Sequence, residues 1–471
     1  MKIMRKKVFF TSKLFSLIGD LADSVGVPVY VVGGYVRDRL LGKTGKDIDF
    51  VVIGDGPAFA RRLAERLTHG RCTVYPKFGT AMLSYRNYVL EFVGGSKESY
   101  RGHSRNPEVE GADLQTDLAR RDFTINAMAV GLNAEEFGRL YDPFNGQADL
   151  HQGLLRTPLD PELTFHDDPL RILRAVRFAC RLHFHLEEKT RQGLIKKRER
   201  LSIISQERIT DELWKILAAS KPSLGFRLME ETGVLEIVLP EILALKGVEQ
   251  IGRYRHKDVF DHTLKVLDNV SRTSDKLPLR LAALFHDVAK PQTKEFKQGA
   301  GWSFHGHEEL GSRMMAAIGK RLRLSKEVVE YCQKLIRLHL RPIHLAEEGV
   351  TDSAVRRLIF QAGEEMDDLI TLCRADITSG NEKLVARHLA NFDSVAKRML
   401  EVEESDRLRR FQPPVRGEEI MQVLGLTPGP LVGKIKTAIE EAILNGQIPN
   451  EHDAAFDYMM KIKDDLLPKA G

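Results

Sequence analysis

The sequence predicts a multidomain protein with a mixed α/β head followed by an all-α remainder, and three observations support this. The chain has 471 residues, which is long for one hydrophobic core and indicates roughly two to four domains. Up to about residue 150, short apolar runs typical of strands are interspersed with helical segments. From about residue 160 onward the apolar residues follow a helical period, without a transmembrane run, a low-complexity tract or a clear internal repeat.

The head is predicted to contain four strands and two helices. The last two strands flank Arg86-Asn87, a tight turn typical of an antiparallel hairpin. Breaks in the helical remainder are expected at Pro222, Pro240 and Gly247 and again near Pro413-Pro414. The predicted strands are Val27–Val32, Asp47–Ile53, Ala81–Tyr85 and Tyr88–Val93, and the predicted helices are Tyr35–Leu41 and Pro57–Leu67.

Composition places the chain among ordinary globular proteins, with 42% hydrophobic and 29% charged residues. The net charge of +5 is compatible with a polyanionic partner but does not require one. The four cysteines are scattered without a Cys-x-x-Cys pair, which favours a reducing compartment over a disulfide framework or a thiolate zinc site. Lys13 and Asp20 interrupt the basic N-terminal segment, so we expect a helical lead-in and a cytoplasmic protein.

The segment from Val29 to Phe50 predicts a metal and phosphate site. Side chains alternate along a strand, so Asp47 and Asp49 project from the same face, where their repulsion favours a Mg²⁺ ion. The Gly33-Gly34 turn lets the backbone approach an anion closely, and Arg37 adds a guanidinium suited to phosphate. The alternative is a buried aspartate pair that caps a turn. The combined pattern favours a nucleoside triphosphate and phosphoryl-type transfer.

Two further segments of the head contain candidate residues. Glu91 lies on a predicted strand and is the candidate third metal carboxylate, although a surface glutamate is the alternative. A polar, arginine-rich stretch after Gly95 has the composition of a mobile loop over a nucleotide. In the run RRDFTINA, the adjacent arginines, including Arg121, can bind triphosphate oxygens, and Asp122 can accept a hydrogen bond from a ribose hydroxyl.

These motifs resemble the head and neck of class II tRNA nucleotidyltransferases, which comprise the CCA-adding enzymes and bacterial poly(A) polymerase relatives. The resemblance covers about Val27 to Leu182 and rests on GGYVRDRLLG, DIDFVV, RRDFTINAMA, YDPFNGQADL and DDPLRILRAVRFACRL. It implies a polymerase-beta-like head with a helical neck, body and tail. It also implies metal binding by Asp47 and Asp49, phosphate binding by Gly33, Gly34, Arg37 and Asp38, and ribose and triphosphate binding by Arg121, Asp122 and Asn126.

The start of the neck predicts how the base of the nucleotide is selected. Asp168 precedes a helix opened by Pro169, and Arg171 lies three residues later on the same face. Cytosine and adenine both present an amine beside an unprotonated ring nitrogen, so a carboxylate and a guanidinium can bind both. Uracil and guanine present a carbonyl beside an N–H, which would leave both groups mismatched. The resemblance implies this templating role, with Asp167 replacing the glutamate found in many relatives.

A basic stripe continues along the neck helix. Arg171, Arg174, Arg177 and Arg181 recur at helical spacing, opposite an apolar face. A solvated surface stripe is one interpretation, and contact with RNA phosphates is the other. We assign Arg174 to nucleotide binding, and the candidate RNA-binding residues are Arg177, Arg181, Lys196 and Lys197.

A second candidate site lies in the helical body. His262, the pair His286-Asp287 and Asp376 have the order and approximate spacing of an HD-type metal site, and imidazole with carboxylate suits an ion that activates water. Lys290 follows one helical turn after His286 and could steady a phosphate. His305, His307 and His339 could bind a second ion, but the sequence favours ordinary buried or exposed histidines at these positions.

The body also resembles the HD domain of some CCA-adding enzymes, which can carry phosphatase or cyclic phosphodiesterase activity. The sequence therefore predicts a head over 1–150, a neck over 151–220, an HD body over 221–390 and a tail over 391–471. The expected reaction is addition of C, C and A from CTP and ATP to tRNA, with two Mg²⁺ ions at the head and an unidentified divalent metal at the body. Partial CC or A addition, poly(A) synthesis, a hydrolase with a vestigial head and an RNA-binding scaffold are the alternatives, and a monomer or a homodimer is compatible with the sequence.

Overall fold

The computed structural model divides the chain into two compact units. Unit 1 comprises Met1–Ile216 and Leu224–Val238, and unit 2 comprises Leu217–Ser223 and Leu239–Gly471. The predicted division into four domains remains a prediction. The structure describes residues 10, 12–68, 70–94, 96–99, 108–111, 113–252, 255–297, 301–348, 352–378, 382–406 and 414–466. Most of the N-terminal lead-in and much of the loop after Gly95 lie outside these residues.

The head of unit 1 is built on a seven-stranded mixed sheet with the order β3-β4-β5-β2-β1-β8-β9. The pairing of β2 with β5 is parallel and the other pairings are antiparallel. The elements of the head are α1 (Lys13–Val25), β1 (Val29–Val32), α2 (Gly34–Leu40), β2 (Asp47–Val52), α3 (Gly56–Arg66), β3 (Arg71–Tyr75), β4 (Thr80–Tyr85), β5 (Tyr88–Gly94), β6 (Ser96–Ser99), β7 (Glu108–Gly111), α4 (Leu114–Ala119), β8 (Ala129–Gly131), β9 (Leu140–Tyr141) and α5 (Gly146–Gln152).

The alternation of β2 explains which face of the sheet becomes the core. Ile48, Phe50 and Val52 are buried in the main hydrophobic cluster, which also contains Phe92 of β5. Phe50 and Phe92 stack with ring centroids 4.6 Å apart. Asp49 therefore faces the opposite side of the sheet. The predicted mixed sheet and the hairpin at Arg86-Asn87 are confirmed, but the strands β3, β8 and β9 of this sheet and the separate β6–β7 pair were not predicted.

The rest of unit 1 is mainly helical, with one short parallel pair formed by β10 and β11. Its elements are β10 (Leu154–Leu155), α6 (Pro161–Asp167), α7 (Leu170–Leu182), β11 (His185–Leu186), α8 (Glu188–Lys197), α9 (Gln206–Leu217), α10 (Ser223–Glu231) and α11 (Val234–Val238), the last residue of α9 and the first of α10 belonging to unit 2. Helix α7 is strongly amphipathic. Its apolar residues Ile172, Leu173 and Val176 are buried, and Arg171 and Arg174 lie between solvent and core.

Unit 2 is predominantly helical, as expected, but it also contains two hairpins that the sequence did not predict. Its elements are α12 (Pro240–Leu243), β12 (Glu249–Gly252), β13 (Arg255–Asp258), α13 (Val259–Thr273), α14 (Leu277–Phe285), α15 (Lys290–Thr293), β14 (Glu295–Lys297), β15 (Gly301–Ser303), α16 (His307–Arg321), α17 (Lys326–Leu338), α18 (Arg341–Glu348), α19 (Asp352–Ala362), α20 (Met366–Asp376), α21 (Glu382–Asp406), α22 (Gly417–Leu424), α23 (Pro430–Leu444) and α24 (His452–Leu466). Within the ranges that the structure describes, no helix combines the length and apolar character needed to cross a lipid bilayer.

Candidate active site in the head and neck, and candidate metal centre in the body

Three carboxylates gather on one face of the head sheet. Asp47 and Asp49 are two residues apart on β2, and Asp49 is the direct partner of Glu91 in the parallel pairing with β5. Paired residues on neighbouring strands project from the same face, so the pairing places Glu91 beside Asp49. Asp47 and Glu91 are exposed and Asp49 is half-buried. The arrangement presents oxygen ligands at an open edge of the site.

The electrostatics of this face leave negative charge to be compensated. Burial raises the pKa of Asp49, and the charge of Asp47 raises it further against the opposing effect of Arg121. Burial and the neighbouring Asp49 raise the pKa of Glu91. A divalent cation would relieve this repulsion, and an all-oxygen ligand set is the kind that Mg²⁺ prefers. Asp47, Asp49 and Glu91 thus share one face and offer the oxygen ligands that Mg²⁺ prefers, but among the described residues the groups whose ligand atoms lie within 4.8 Å of one another are both in the body, so these three carboxylates are not gathered around a single point.

The Gly33-Gly34 turn allows a close approach that a side chain would block. Gly33 has φ +73° and ψ −134°, a backbone conformation that favours glycine. A Cβ atom at this position would lie 2.8 Å from Nη1 of Arg121 and 3.4 Å from Oδ2 of Asp49. The turn thus leaves room between a guanidinium and a candidate metal carboxylate, where a bound anion and its metal would have to fit.

A buried network centred on Asp122 connects the head to α7. Its Oδ1 accepts hydrogen bonds from the Phe123 N–H at 2.8 Å and from Nδ2 of Asn126 at 2.9 Å. Its Oδ2 accepts from Nε and Nη2 of Arg174 at 2.8 and 2.5 Å. Burial alone would raise the pKa of Asp122, but the charge of Arg174 and these hydrogen bonds outweigh it and lower the pKa. Asp122 therefore fixes the orientation of Arg174, in addition to any contact with a ribose.

Asp38 and Asn126 orient Arg37. The side-chain Oδ1 of Asn126 accepts a hydrogen bond from Nη1 of Arg37 at 2.7 Å. Oδ1 of Asp38 accepts a hydrogen bond from Nε of Arg37 at 2.8 Å. Because Asn126 also donates to Asp122, the guanidinia of Arg37 and Arg174 belong to one network. Arg37 is buried, so its side chain is held in one position before any ligand arrives.

Asp117 orients the two adjacent arginines and was not identified from the sequence. Its Oδ1 accepts from Nη2 of Arg120 at 2.8 Å, and its Oδ2 accepts from Nε and Nη2 of Arg121 at 3.1 and 3.0 Å. Burial raises the pKa of Asp117, but the two guanidinia outweigh this effect and hold the pKa below its ordinary value. The spacing of three and four residues at the end of one short helix is a signal that sequence reasoning could have used.

Phe178 on α7 is a second residue that the sequence did not single out. The guanidinium carbons of Arg37, Arg174 and Arg177 lie 5.1, 5.6 and 4.3 Å from its ring centroid. Cation–π attraction and packing thus gather three arginines around one aromatic ring. Arg177 is also fixed by a buried ion pair, with its Nε 2.7 Å from Oε2 of Glu212.

The neck helix α7 begins at Leu170 with Pro169 as its N-cap, so Asp168 lies at the end of α6 and not at the predicted cap position, whereas Arg171 lies in the first turn of α7. Oδ1 of Asp168 accepts from the Leu170 N–H at 3.2 Å and lies 3.6 Å from Nη2 of Arg208. The guanidinium of Arg171 donates to the backbone carbonyls of Arg120 at 2.6 Å and of Thr164 at 3.4 Å. Backbone acceptors thus position this guanidinium, and its fixed orientation is what a selective hydrogen-bonding site requires.

One cavity of about 510 Å³ collects most of these residues within unit 1. Its lining combines eight arginines with four aspartates, which favours a polyanionic ligand of nucleotide size. The lining residues are Gly33, Gly34, Arg37, Asp49, Asp117, Arg120, Arg121, Asp122, Asn126, Asp168, Leu170, Arg171, Arg174, Arg177, Phe178, Arg181 and Arg208.

The candidate RNA-binding residues fall into two environments. Arg177 and Arg181 line the cavity, with Arg177 buried and Arg181 exposed. Nζ of Lys196 and of Lys197 lie 2.7 and 3.4 Å from the carboxylate of Glu162. RNA binding by the two lysines would therefore have to compete with a surface ion pair.

In the body, packing of helices distant in sequence brings together two groups of metal-type ligands. The first group is His262, His286 and Asp376, and the second is Asp287, His307 and His339. Within each group, the ligand atoms lie within 4.8 Å of one another. Nε2 of His262 lies 2.8 Å from Oδ1 of Asp376. The predicted four-residue set is therefore assembled, and two more histidines join it.

The hydrogen bonds of the imidazole rings direct the lone pairs of Nε2 inward. Nδ1 of His286, His307 and His339 lies 2.7, 2.7 and 2.6 Å from the carbonyls of Ala283, Phe304 and Ile336, each three residues earlier. Such contacts assign the proton of a neutral ring to Nδ1 and leave Nε2 as a metal ligand. Nε2 of His307 and Nε2 of His339 face each other at 3.4 Å, a contact between lone pairs that a cation would relieve.

Asp287 belongs to the second group and also contacts the first. Its Oδ2 is 3.2 Å from Nε2 of His286, and its Oδ1 is 3.3 Å from Nε2 of His307. Burial lowers the pKa of His286, but the charges and hydrogen bonds of Asp287 and Asp376 outweigh it and raise the pKa to about 10. Burial lowers the pKa of His339 to about 3. The donor set of four imidazoles and two carboxylates suits divalent transition-metal ions, and these six residues would hold them.

The structure differs from the sequence-based expectation at His307 and His339. The sequence favoured ordinary roles for His305, His307 and His339, because nothing local links them. His305 is exposed, in agreement with that expectation. His307 and His339 are buried beside Asp287, because the start of α16 and the end of α17 pack against the same centre. The proximity of His307 and His339 to Asp287 depends on how the helices pack, which residue spacing along the sequence does not predict.

Comparison with family models accounts for most of the chain. Residues 29–156 match the poly A polymerase head domain, and residues 183–245 match a probable RNA and SrmB-binding site of polymerase A. Residues 259–379 match the HD domain, and residues 320–459 match a putative tRNA nucleotidyltransferase domain 2. The second match crosses the predicted neck–body boundary at residue 220, and the fourth crosses the predicted body–tail boundary at residue 390.

Curated relatives align with almost the whole chain. A CC-adding tRNA nucleotidyltransferase of Thermus thermophilus is 33% identical, with 90% of this chain and 92% of that protein covered. An A-adding tRNA nucleotidyltransferase of Deinococcus radiodurans is 32% identical, with 90% and 93% covered. A multifunctional CCA protein of Vibrio parahaemolyticus is 33% identical, with 74% and 84% covered. All three are tRNA nucleotidyltransferases or CCA proteins, but the nucleotides that their names specify differ.

Solved structures show the same architecture. A CCA-adding enzyme in complex with ATP has a TM-score of 0.64 at 26% identity, with 96% of this chain and 95% of that chain covered. The Thermotoga maritima CCA-adding enzyme in complex with tRNA has a TM-score of 0.61 at 26% identity, with 98% and 100% covered. The chain therefore belongs to the class II tRNA nucleotidyltransferase family and carries an HD domain.

Proposed function

We propose that unit 1 adds C, C and A from CTP and ATP to the 3′ end of tRNA without a nucleic-acid template and releases diphosphate. The observation that carries this proposal is the shared cavity, in which Asp168 and Arg171 lie with Asp49 and the Gly33-Gly34 turn. One cavity thus combines the pair proposed to read the base, a carboxylate proposed to bind metal and a glycine turn proposed to bind phosphate. Similarity to CCA-adding enzymes solved with ATP, with CTP and with tRNA supports the same substrates here.

Base choice follows from the donors and acceptors of the pair. The carboxylate of Asp168 would accept a hydrogen bond from the exocyclic amine of cytosine or adenine, and the guanidinium of Arg171 would donate to the adjacent ring nitrogen. With uracil or guanine, the carboxylate would face a carbonyl and the guanidinium would face an N–H group. Both polar groups would lose their partners in a desolvated site, which is costly.

The residues of the chain also account for the transfer step. The terminal RNA 3′ oxygen attacks the α-phosphorus of the nucleotide, and the bond from that phosphorus to the diphosphate oxygen breaks. Arg37 and Arg121 would bind the triphosphate, and Asp47, Asp49 and Glu91 would hold the divalent ions. When bound, such ions stabilise charge on the attacking and departing oxygens. The proton of the 3′ hydroxyl passes to solvent or to a nearby carboxylate.

A primer series tests the complete reaction against its partial forms. The purified protein is incubated with tRNA that lacks the CCA end, with tRNA ending in C and with tRNA ending in CC, and with each nucleotide alone or all four together. We expect C on the first two primers, A on the third, and extension to CCA with the mixture. A product that stops at CC, extension of the third primer only, or a long A tail would each replace the proposal with a partial or poly(A) activity.

The body supports a second candidate function, which is metal-dependent hydrolysis of a phosphoester. The observation that favours it is the six-residue cluster, in which Asp287 contacts a histidine of each group. A pair of divalent ions at such a cluster would supply an activated water and neutralise phosphate charge. Water would attack phosphorus, and the ester oxygen would leave with a proton. Lys290, whose Nζ lies 2.7 Å from Oδ2 of Asp287, would add a positive charge beside the phosphate.

Replacing His307 by Ala tests whether the second histidine group binds metal. We expect bound metal to fall from about two ions to about one per chain, and phosphoester hydrolysis to fall at least about a hundredfold. His305→Ala is the matched control, since His305 is exposed two residues earlier and should change neither value. Metal content is measured by elemental analysis after gel filtration. Two ions per chain in His307→Ala would contradict the assignment.

A further inference from the structure

Arg208 brings a positive charge from a separate helix to the carboxylate proposed to read the base. It is the third residue of α9, and it lines the same cavity as Asp168 and Arg171. Its Nη2 lies 3.6 Å from Oδ1 of Asp168. Within the part of the chain that the structure describes, no other cation forms an ion pair with this carboxylate. Arg208 is therefore the ionic partner of Asp168.

The local backbone restrains the side chain of Asp168 only weakly. Asp168 lies at the end of α6 with an extended backbone, φ −134° and ψ 96°, so no helical turn holds it. Its Oδ1 accepts a hydrogen bond from the Leu170 N–H at 3.2 Å, which is at the long end of the normal range. Among the described residues, Oδ2 has no hydrogen-bond or ionic partner. One oxygen of Asp168 is thus held by the protein, and the other is available to a ligand.

The ion pair is poorly explained by stability of the fold. The dipole of a helix disfavours a cation in its first turn, and Arg208 lies in the first turn of α9. The side chains of Arg208 and Asp168 remain 53% and 31% exposed, and ion pairs as exposed as this one contribute little to stability. What the pair does is fix the position of a carboxylate inside the cavity.

We propose that Arg208 is a positioning residue for base choice, which holds Oδ1 of Asp168 so that Oδ2 meets the exocyclic amine of cytosine or adenine. This inference rests on the base selection proposed for Asp168 and Arg171. The guanidinium of Arg171 is already held by backbone carbonyls. Both members of the pair are then oriented before the nucleotide binds, one by backbone acceptors and the other by a side chain of α9.

Replacing Arg208 by Ala tests this role. The ratio of kcat/KM for CTP over UTP, measured on tRNA lacking CCA, should fall by about tenfold. The loss should be smaller than in Arg171→Ala, because Asp168 keeps its hydrogen bond from Leu170. The melting temperature should change by less than about 2 °C. Equal losses for CTP and UTP would overturn the proposal, since they would mean that Arg208 binds the triphosphate or the RNA.

Two further substitutions separate the charge of Arg208 from its hydrogen-bonding capacity. Arg208→Lys keeps the charge and should retain most of the preference for CTP. Arg208→Gln keeps a donor of similar reach without the charge, and should lose as much of the preference as Arg208→Ala. A lysine variant no more selective than the glutamine variant would contradict an ionic role.

A double-mutant cycle shows whether Arg208 acts through Asp168. Asp168→Asn should lower the CTP to UTP ratio, and adding Arg208→Ala should lower it no further, because the second residue acts only through the first. Losses that multiply would refute the positioning role. A loss in Asp168→Asn with none in Arg208→Ala would refute that role alone. An unchanged ratio in Asp168→Asn would refute the proposed base selection together with it.

Discussion

Replacing Asp49 by Asn is expected to reduce nucleotide addition by at least about a thousandfold while stabilising the metal-free protein. The loss follows because a neutral amide no longer provides the charge that holds a divalent ion beside the α-phosphate, a contribution of several kcal/mol to the transition state. The gain follows because burial and Asp47 raise the pKa of Asp49. At neutral pH the folded protein therefore carries an unfavourable charge that the substitution removes.

The pH dependence of this stabilisation has a definite sign. With its pKa raised, Asp49 binds a proton more readily in the folded than in the unfolded state, so its contribution to stability falls as pH rises through the carboxylate range. We expect Asp49→Asn to raise the melting temperature at pH 7 by about 2–4 °C without metal. The difference should shrink at pH below the ordinary carboxylate pKa, and also when Mg²⁺ is added.

Asp55→Asn is the control for Asp49→Asn. Asp55 is exposed and caps α3 by accepting from the Ala58 N–H, a role that Asn performs equally well. It should leave both addition and melting temperature unchanged. Activity of Asp49→Asn within tenfold of the unmodified protein would contradict the role of Asp49. A melting temperature that falls in the metal-free protein would contradict the electrostatic argument.

Replacing Arg171 by Ala is expected to relax the choice of base more than it slows addition of the correct nucleotide. The guanidinium is held by the carbonyls of Arg120 and Thr164, so it is aimed before the nucleotide binds. Without it, uracil no longer meets a mismatched donor, and the penalty against UTP decreases. The ratio of kcat/KM for CTP over UTP, measured on tRNA lacking CCA, should fall by at least about a hundredfold.

Arg181→Ala separates base selection from general loss of positive charge. Arg181 lies on the same helix α7 and lines the same cavity, but it is exposed. Its loss should weaken binding of all four nucleotides or of tRNA by a similar factor and leave the CTP to UTP ratio intact. If both variants relax the ratio equally, or if Arg171→Ala retains the original preference, the templating role of Arg171 is refuted.

Local patterns were sufficient for the parts of the site that lie on single elements. Alternation along β2 placed Asp47 and Asp49 on one face, and helical spacing placed Arg171 in the first turn of α7, although Asp168 lies at the end of α6. These predictions depend only on periods of two and of 3.6 residues, which are properties of a strand and a helix. The same reasoning could have found Asp117 from its spacing to Arg120 and Arg121. No motif in that segment, however, indicated an aspartate that binds both arginines.

Contacts between elements that are distant in sequence come from tertiary packing, which local residue spacing does not predict. Asp122 and Arg174 are 52 residues apart, and their ion pair exists because α7 packs against the head. Phe178 gathers three arginines from two elements, and this grouping follows from the position of its ring in the packed structure. Residue spacing describes one element at a time, whereas the pairing of elements follows from burial of apolar surface along the whole chain.

Periodicity and motifs were enough to establish the mixed head, the helical remainder, the family and the residues that recur at strand or helix spacing. The position of Glu91 beside Asp49 required the folded chain, because the parallel register of β2 and β5 sets that pairing. The same is true of His307 and His339, which join Asp287. Register and helix packing are chosen by the summed burial of many residues, so the position of any one ligand is a consequence of the entire core.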